Sequence, residues 1–85
     1  MVVKLELFSS PSCSKCDVTK KKLQRIADSS GGNISFSTIN ILEEMDYALK
    51  VGVLSTPSIA INGKIKFIGI PDINEIEEYI SGLIK

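Results

Sequence analysis

An 85-residue chain is expected to form one domain spanning residues 1–85, since chains split into separate cores only beyond roughly 200 residues; two domains, a solenoid and an enzyme built around a large ligand are excluded. Hydrophobic residues make up 44 %, enough for a small core of modest stability. Ten basic and ten acidic residues cancel, which speaks against a nucleic-acid grip and gives no reason to expect a membrane surface or a strongly charged substrate.

In chain order, Val2 to Phe8 alternates Val3, Leu5 and Leu7 against Lys4 and Glu6, the period of a strand. Lys4 and Glu6 also interrupt any apolar leader, and no stretch approaches the ~18 apolar residues of a membrane helix. The expected compartment is therefore the cytoplasm. Ser9-Ser10-Pro11-Ser12 breaks the strand. From Ser14 to Ser29, Cys16, Leu23, Ile26 and Ala27 recur at helical spacing, with Lys20, Lys21, Lys22 and Gln24 largely on the solvated side. Gly31-Gly32-Asn33 ends this helix, and Ile34 to Ile39 forms a second strand.

A short helix follows over Leu42 to Lys50, with Gly52 past its end as a C-cap. Ser58–Ile61 and Lys64–Ile68 flank Asn62-Gly63, the dipeptide of a type I′ hairpin turn. The turn sets Ile61 opposite Lys64 and Ile59 opposite Lys66, and the lysines suit an exposed sheet edge. Asp72 caps a last helix, with Glu75 three residues on and an apolar stripe of Ile73, Ile76, Ile80, Leu83 and Ile84. Tyr47 and Tyr79 are helix-packing rings. The order is β-α-β-α-β-β-α, an α/β fold with one mixed four-stranded sheet and helices on both faces.

The chemistry centres on Cys13-Ser14-Lys15-Cys16. The only two cysteines stand three apart, a spacing that random placement gives in about 2 % of arrangements. The pair follows the first strand and opens the first helix, where unpaired N–H groups and the helix dipole favour an anion. The Cys13 thiol is therefore expected to ionise more readily than a free thiol, with Lys15 pushing the same way and Ser14-Lys15 tuning the thiolate. The thiolate is the attacking species in disulfide exchange, and Cys16, one turn further in, can reach the same sulfur. Half of a zinc or iron–sulfur site has the same spacing, but such sites take four ligands. The chain has no His and no second cysteine pair, so a metal carrier would need a second subunit or an external thiol. Idle cysteines on a pure interaction module are a third reading.

Ser55-Thr56-Pro57 is the second feature. Proline directly before a strand loses no ladder hydrogen bond, and X–Pro bonds are cis in only about 5–6 % of cases, so the residues by themselves describe a trans proline that starts a strand.

Phe8 to Cys16, followed by Val51-Gly52-Val53-Leu54-Ser55-Thr56-Pro57-Ser58-Ile59-Ala60-Ile61-Asn62-Gly63-Lys64, resembles the thioredoxin and glutaredoxin superfamily, most of all its small, glutaredoxin-sized archaeal thioredoxins. The resemblance covers nearly the whole chain. It implies a thioredoxin-like fold and a thiol–disulfide oxidoreductase that reduces protein disulfides, with Cys13 as nucleophile and Cys16 as resolving thiol. It implies a cis Pro57 packed against the cysteine pair, with the Thr56 N–H and C=O offered to an extended substrate segment. The exposed rim around Cys13 is expected to include Ser10, Pro11, Ser12 and Ser14, small residues that let a protein disulfide approach, with Pro11 and Ser12 as substrate-binding candidates; Gly69 is either a strand-end glycine or a point of close backbone approach to the substrate. No bound cofactor or metal is required. The partners implied are disulfide-containing proteins and a thioredoxin-reductase-like flavoprotein or small-thiol reductant, with the chain acting as a monomer and an electron-transport link.

The chain also departs from the family pattern. It has no Trp beside its motif, and the buried carboxylate that thioredoxins carry six residues before the first cysteine falls on Leu7, with Glu6 on the other sheet face. The glutaredoxin Gly-Gly pair appears as Gly69-Ile70, although Asp72 matches the acidic helix start. A glutathione-dependent glutaredoxin is the alternative within the enzyme class.

Overall fold

The computed structural model describes residues 2–69 and 72–84. Seven elements follow in the expected order: β1 (Val3–Ser9), α1 (Ser14–Ser29), β2 (Ile34–Asn40), α2 (Met45–Val51), β3 (Ser58–Ile61), β4 (Lys64–Ile68) and α3 (Ile73–Ile84). The sheet runs β2-β1-β3-β4. β1 is parallel to β2 and antiparallel to β3, and β3 is antiparallel to β4.

Alternation along β1 sets the layers. Val3, Leu5 and Leu7 face one way and are buried with Leu23 and Ile26 of α1, Ile59 and Ile61 of β3, and Ile76 and Ile80 of α3. Phe8 faces the other way and is buried with Ala60 and with Ala48 of α2. Helices therefore cover both faces, as the stripes require. The cap of α3 is also as expected: the Asp72 carboxylate accepts the Asn74 N–H at 2.9 Å. Ile70, Pro71 and the side chain of Ile84 lie outside the described residues.

Two local expectations are corrected. α2 starts at Met45 rather than Leu42. The Asn40 side-chain oxygen takes the Leu42 N–H at 2.9 Å, and the Asn40 carbonyl takes the N–H groups of Glu43 and Glu44. The Glu44 backbone then leaves the helical region (φ −119°, ψ 48°), which separates this turn from α2 and makes Glu44 its N-cap. In the hairpin, Asn62 and Gly63 have the positive φ values of the expected turn (52° and 85°), and Ile61 pairs with Lys64, but Ile59 pairs with Phe67. A β-bulge between Ile59 and Ala60 leaves Lys66 unpaired. In a regular strand Ile65 and Phe67 would share a face; the bulge sends Ile65 to the α2 side and Phe67 to the α1–α3 side, where it meets Tyr79 edge-on at 6.4 Å.

Glu6 is buried, 2 % exposed, on the α2 face. Tyr47 packs on Phe8 with ring centroids 5.9 Å apart and donates its phenol proton to Glu6 Oε2 at 2.7 Å. Lys4 Nζ lies 3.7 Å from the same oxygen and donates to the Tyr47 oxygen at 3.4 Å. Oε1 is buried without a partner among the described residues.

The Glu6 hydrogen bond, then burial, raise the Tyr47 pKa above its ordinary value. The Tyr47 hydrogen bond, then the Glu6 charge, raise that of Lys4. Both groups hold their protons more tightly in the folded state, so their stabilisation is complete below their unfolded values of about 10 and is lost as pH rises through the folded ones. Urea midpoints are expected to fall above about pH 10, and less steeply in Tyr47→Phe, which at pH 7 should be less stable by about 1 kcal/mol. Identical alkaline slopes in the two proteins would remove this triad as the source.

Candidate active site

β1 delivers the chain at Ser9 to a tight loop that becomes α1. The Ser10 carbonyl accepts the Cys13 N–H at 3.1 Å, and the Cys13 carbonyl accepts the Cys16 N–H at 3.3 Å. Cys13 is the N-cap of α1, with extended backbone (φ −91°, ψ 98°), and no side chain caps the helix. The first-turn N–H groups and the positive end of the helix therefore lie beside Cys13. Cys13 and Cys16 are joined as a disulfide with Cα atoms 5.4 Å apart. Cys13 is half-buried, and Cys16 is only 5 % exposed on the inward stripe of α1. Pro11, Ser12, Ser14 and Lys15 are all exposed around them. The Lys15 carbonyl accepts the hydroxyl of the fully buried Thr19 at 2.9 Å.

The opposing loop enters β3. The Thr56–Pro57 peptide is cis, as the resemblance implies and the residues by themselves do not. Pro57 is buried, and its carbonyl accepts the Gly69 N–H at 2.8 Å. Gly69 has φ +83°, and among the described residues, its chain neighbours aside, no atom lies within 4 Å of where a Cβ would stand, so backbone conformation calls for glycine there. Among the described residues, the Thr56 N–H and C=O make no backbone hydrogen bond.

No sequence pattern signals the link between the two loops: the Ser10 and Thr56 hydroxyl oxygens lie 3.3 Å apart. Sequence reasoning also missed two exposed apolar side chains at this end of the sheet, Leu54 (93 % exposed), two residues before Thr56, and Ile68 (64 %), which pairs with Ser58. An apolar residue directly ahead of Ser-Thr-Pro was the available signal. Leu7 is fully buried in the apolar cluster on the α1–α3 face, so hydrocarbon fills the position where thioredoxins carry a carboxylate. Glu6 points away, to Tyr47. Among the described residues, no cluster of three or more His, Cys, Asp or Glu forms that could hold a metal, and no helix is long and apolar enough to cross a membrane.

Known proteins resemble the chain along most or all of its length. The thioredoxin domain family matches residues 1–81. A probable thioredoxin of Methanothermobacter marburgensis is 35 % identical over the full length of both chains. A thioredoxin of Methanocaldococcus jannaschii is 35 % identical over 78 residues, 92 % of each chain. In three dimensions, a point-mutant thioredoxin from Halobacterium salinarum superposes with a TM-score of 0.82 at 19 % identity, covering 94 % of this chain and 73 % of that one. With a disulfide-forming cysteine pair at the head of α1 and relatives of this kind along its full length, the chain belongs to the thioredoxin family, in its small archaeal form, and is a thiol–disulfide oxidoreductase.

Proposed function

We propose that the chain is a cytoplasmic, monomeric, single-domain reductant of protein disulfides in which Cys13 attacks and Cys16 resolves. The observation that carries this reading is the asymmetry of the pair: Cys13 is half-buried at the helix N-cap, whereas Cys16 is 5 % exposed. In the dithiol form, the Cys13 thiolate attacks one substrate sulfur and expels the other as a thiolate, which takes up a proton. The Cys16 thiol loses its proton and attacks Cys13 Sγ, closing the internal disulfide and releasing the second substrate thiol. Two electrons and two protons pass from the chain to the substrate. A thioredoxin-reductase-like flavoprotein or a small thiol returns them. Ser14 and Lys15 tune the thiolate. Thr56 pairs with the substrate backbone beside Pro57, and Pro11, Ser12 and Gly69 form the small-residue rim that admits it.

Equilibrium titration of the Cys13–Cys16 couple against dithiol buffers, with free thiols counted, tests the reading. A two-electron transition near the thioredoxin value of roughly −270 mV is expected. A value near roughly −120 mV, that of a strong oxidant, would reverse the direction. No internal disulfide at any poise would overturn it. In the same preparation, formation of a Cys13–glutathione adduct in Cys16→Ser, reversed catalytically by further glutathione, would move the chain to the glutaredoxin class.

A further inference from the structure

The net charge of zero conceals a segregation. α1 carries five cationic side chains (Lys15, Lys20, Lys21, Lys22, Arg25) and two carboxylates, Asp17 and Asp28, whereas every charged side chain of α3 is a glutamate: Glu75, Glu77 and Glu78. On α1 the buried residues are Cys16, Thr19, Leu23 and Ile26. One residue back, at the same 3-4-3 spacing, stand Lys15, Val18, Lys22 and Arg25. They form a second stripe turned by about 100° from the buried one. It begins between the two cysteines and runs roughly 15 Å along the helix, the length of its ten-residue step.

Along this stripe Lys15 and Arg25 are exposed, Lys22 is half-exposed and Val18 is 47 % exposed. Lys22 and Arg25 border a shallow cleft of about 170 Å³ between α1 and α3, shared with Ile73 and Glu77. Among the described residues the single ion pair is Lys4–Glu6 on the far side of the sheet, so even Glu77 does not neutralise these cations at contact distance. Unpaired cations flanking an exposed apolar residue, in register with the reactive pair, complement a polypeptide of opposite charge.

We infer that the Lys15–Val18–Lys22–Arg25 stripe is a docking track for protein disulfide substrates that carry acidic residues about four to six positions from the reacting cysteine, the reach needed to cover the roughly 13–18 Å along α1 from Cys13 to Lys22 and Arg25. Their carboxylates lie along Lys22 and Arg25 and an apolar side chain meets Val18, which brings the substrate sulfur to Cys13. The inference rests on the proposed reduction of protein disulfides and adds the substrate class. The zero net charge by itself gives no reason to expect a charged substrate, because it says nothing about how charge is distributed.

The test uses three peptides with the same intramolecular disulfide, carrying Asp, Ser or Lys about four to six positions from the reacting cysteine, and measures the rate at which the dithiol form reduces each. In about 20 mM salt, where the Debye length is about 20 Å, the acidic peptide is expected to react about five- to tenfold faster than the neutral one. The basic peptide is expected to react more slowly than the neutral one. In about 0.5 M salt the ratios should collapse towards one. Lys22→Glu/Arg25→Glu should remove the acidic preference at low salt, and Lys22→Gln/Arg25→Gln, which adds no repulsion, should remove most of it. Taking the ratio on each protein cancels any general loss of reactivity. Equal low-salt rates for the acidic and neutral peptides, or an acidic preference that survives both double substitutions, would overturn the track. Failure to reduce any of the three would instead overturn the reductant reading beneath it.

Discussion

Cys13→Ser is expected to lose protein-disulfide reduction by at least about 10³-fold, whereas Cys16→Ser is expected to perform the first step and stop there, accumulating as a covalent mixed disulfide. The asymmetry follows from geometry. Cys13 sits half-buried at the N-cap, where the first-turn N–H groups of α1 stabilise a thiolate, and Cys16 lies one turn in at 5 % exposure. A serine hydroxyl at position 13 neither ionises near neutral pH nor forms a disulfide. Without the Cys16 sulfur, nothing in the pair attacks the mixed disulfide from within. Incubation of each variant with insulin, acid quenching and intact-mass measurement reads the result directly: one insulin-chain adduct on Cys16→Ser, mapped to Cys13, and none on Cys13→Ser. An adduct mapped to Cys16 in Cys13→Ser, formed at the rate seen in the other variant, would reverse the roles.

Leu23→Ala is expected to destabilise the fold by about 3 kcal/mol, within the roughly 2–5 kcal/mol typical of large-to-small changes in a core. Leu23 is fully buried on α1 and belongs to the cluster that holds Leu5, Leu7, Ile59, Ile76 and Ile80. It ties the helix that carries the cysteines to the centre of the sheet. Small domains have a total stability of only about 5–10 kcal/mol, so the loss is a large share of it. With an m value of about 1 kcal/mol/M, the urea midpoint should drop by roughly 2–3 M. Leu49→Ala on α2, where the side chain is 69 % exposed, should change stability by less than about 0.5 kcal/mol. A Leu23→Ala midpoint within about 0.5 M of the wild type, no more than a surface substitution produces, would mean that α1 is anchored elsewhere.

What could be read from residues alone was local. α1, β3 and β4 have the bounds that periodicity and turn chemistry predict, because a helical stripe or an Asn-Gly turn is written within a few neighbouring residues. Asp72 capping α3 and the cysteine pair opening α1 are legible for the same reason. The family carboxylate position at Leu7 was legible too, and Leu7 is fully buried in the apolar cluster of the α1–α3 face.

Tertiary structure decided the features whose partners lie far apart in the chain. Alternation assigns Glu6 to the face opposite Leu7, but only the placement of α2 turns that face into an interior and supplies Tyr47, 41 residues away, as hydrogen-bond donor. Ser10 and Thr56, 46 residues apart, meet only because β1 and β3 are neighbours. The bulge that frees Lys66 answers a demand no local pattern expresses: Ile65 and Phe67 are wanted in two different cores. The charge track on α1 belongs to both levels. Its spacing lies in the sequence, but which side of the helix is buried, and that no carboxylate comes within ion-pairing distance of its cations among the described residues, depends on how α1 and α3 pack. Sequence determines the short-range geometry, because backbone torsions and hydrogen bonds are settled among near neighbours. Packing determines which polar groups are buried, paired or left free, because burial is a property of the surfaces that meet.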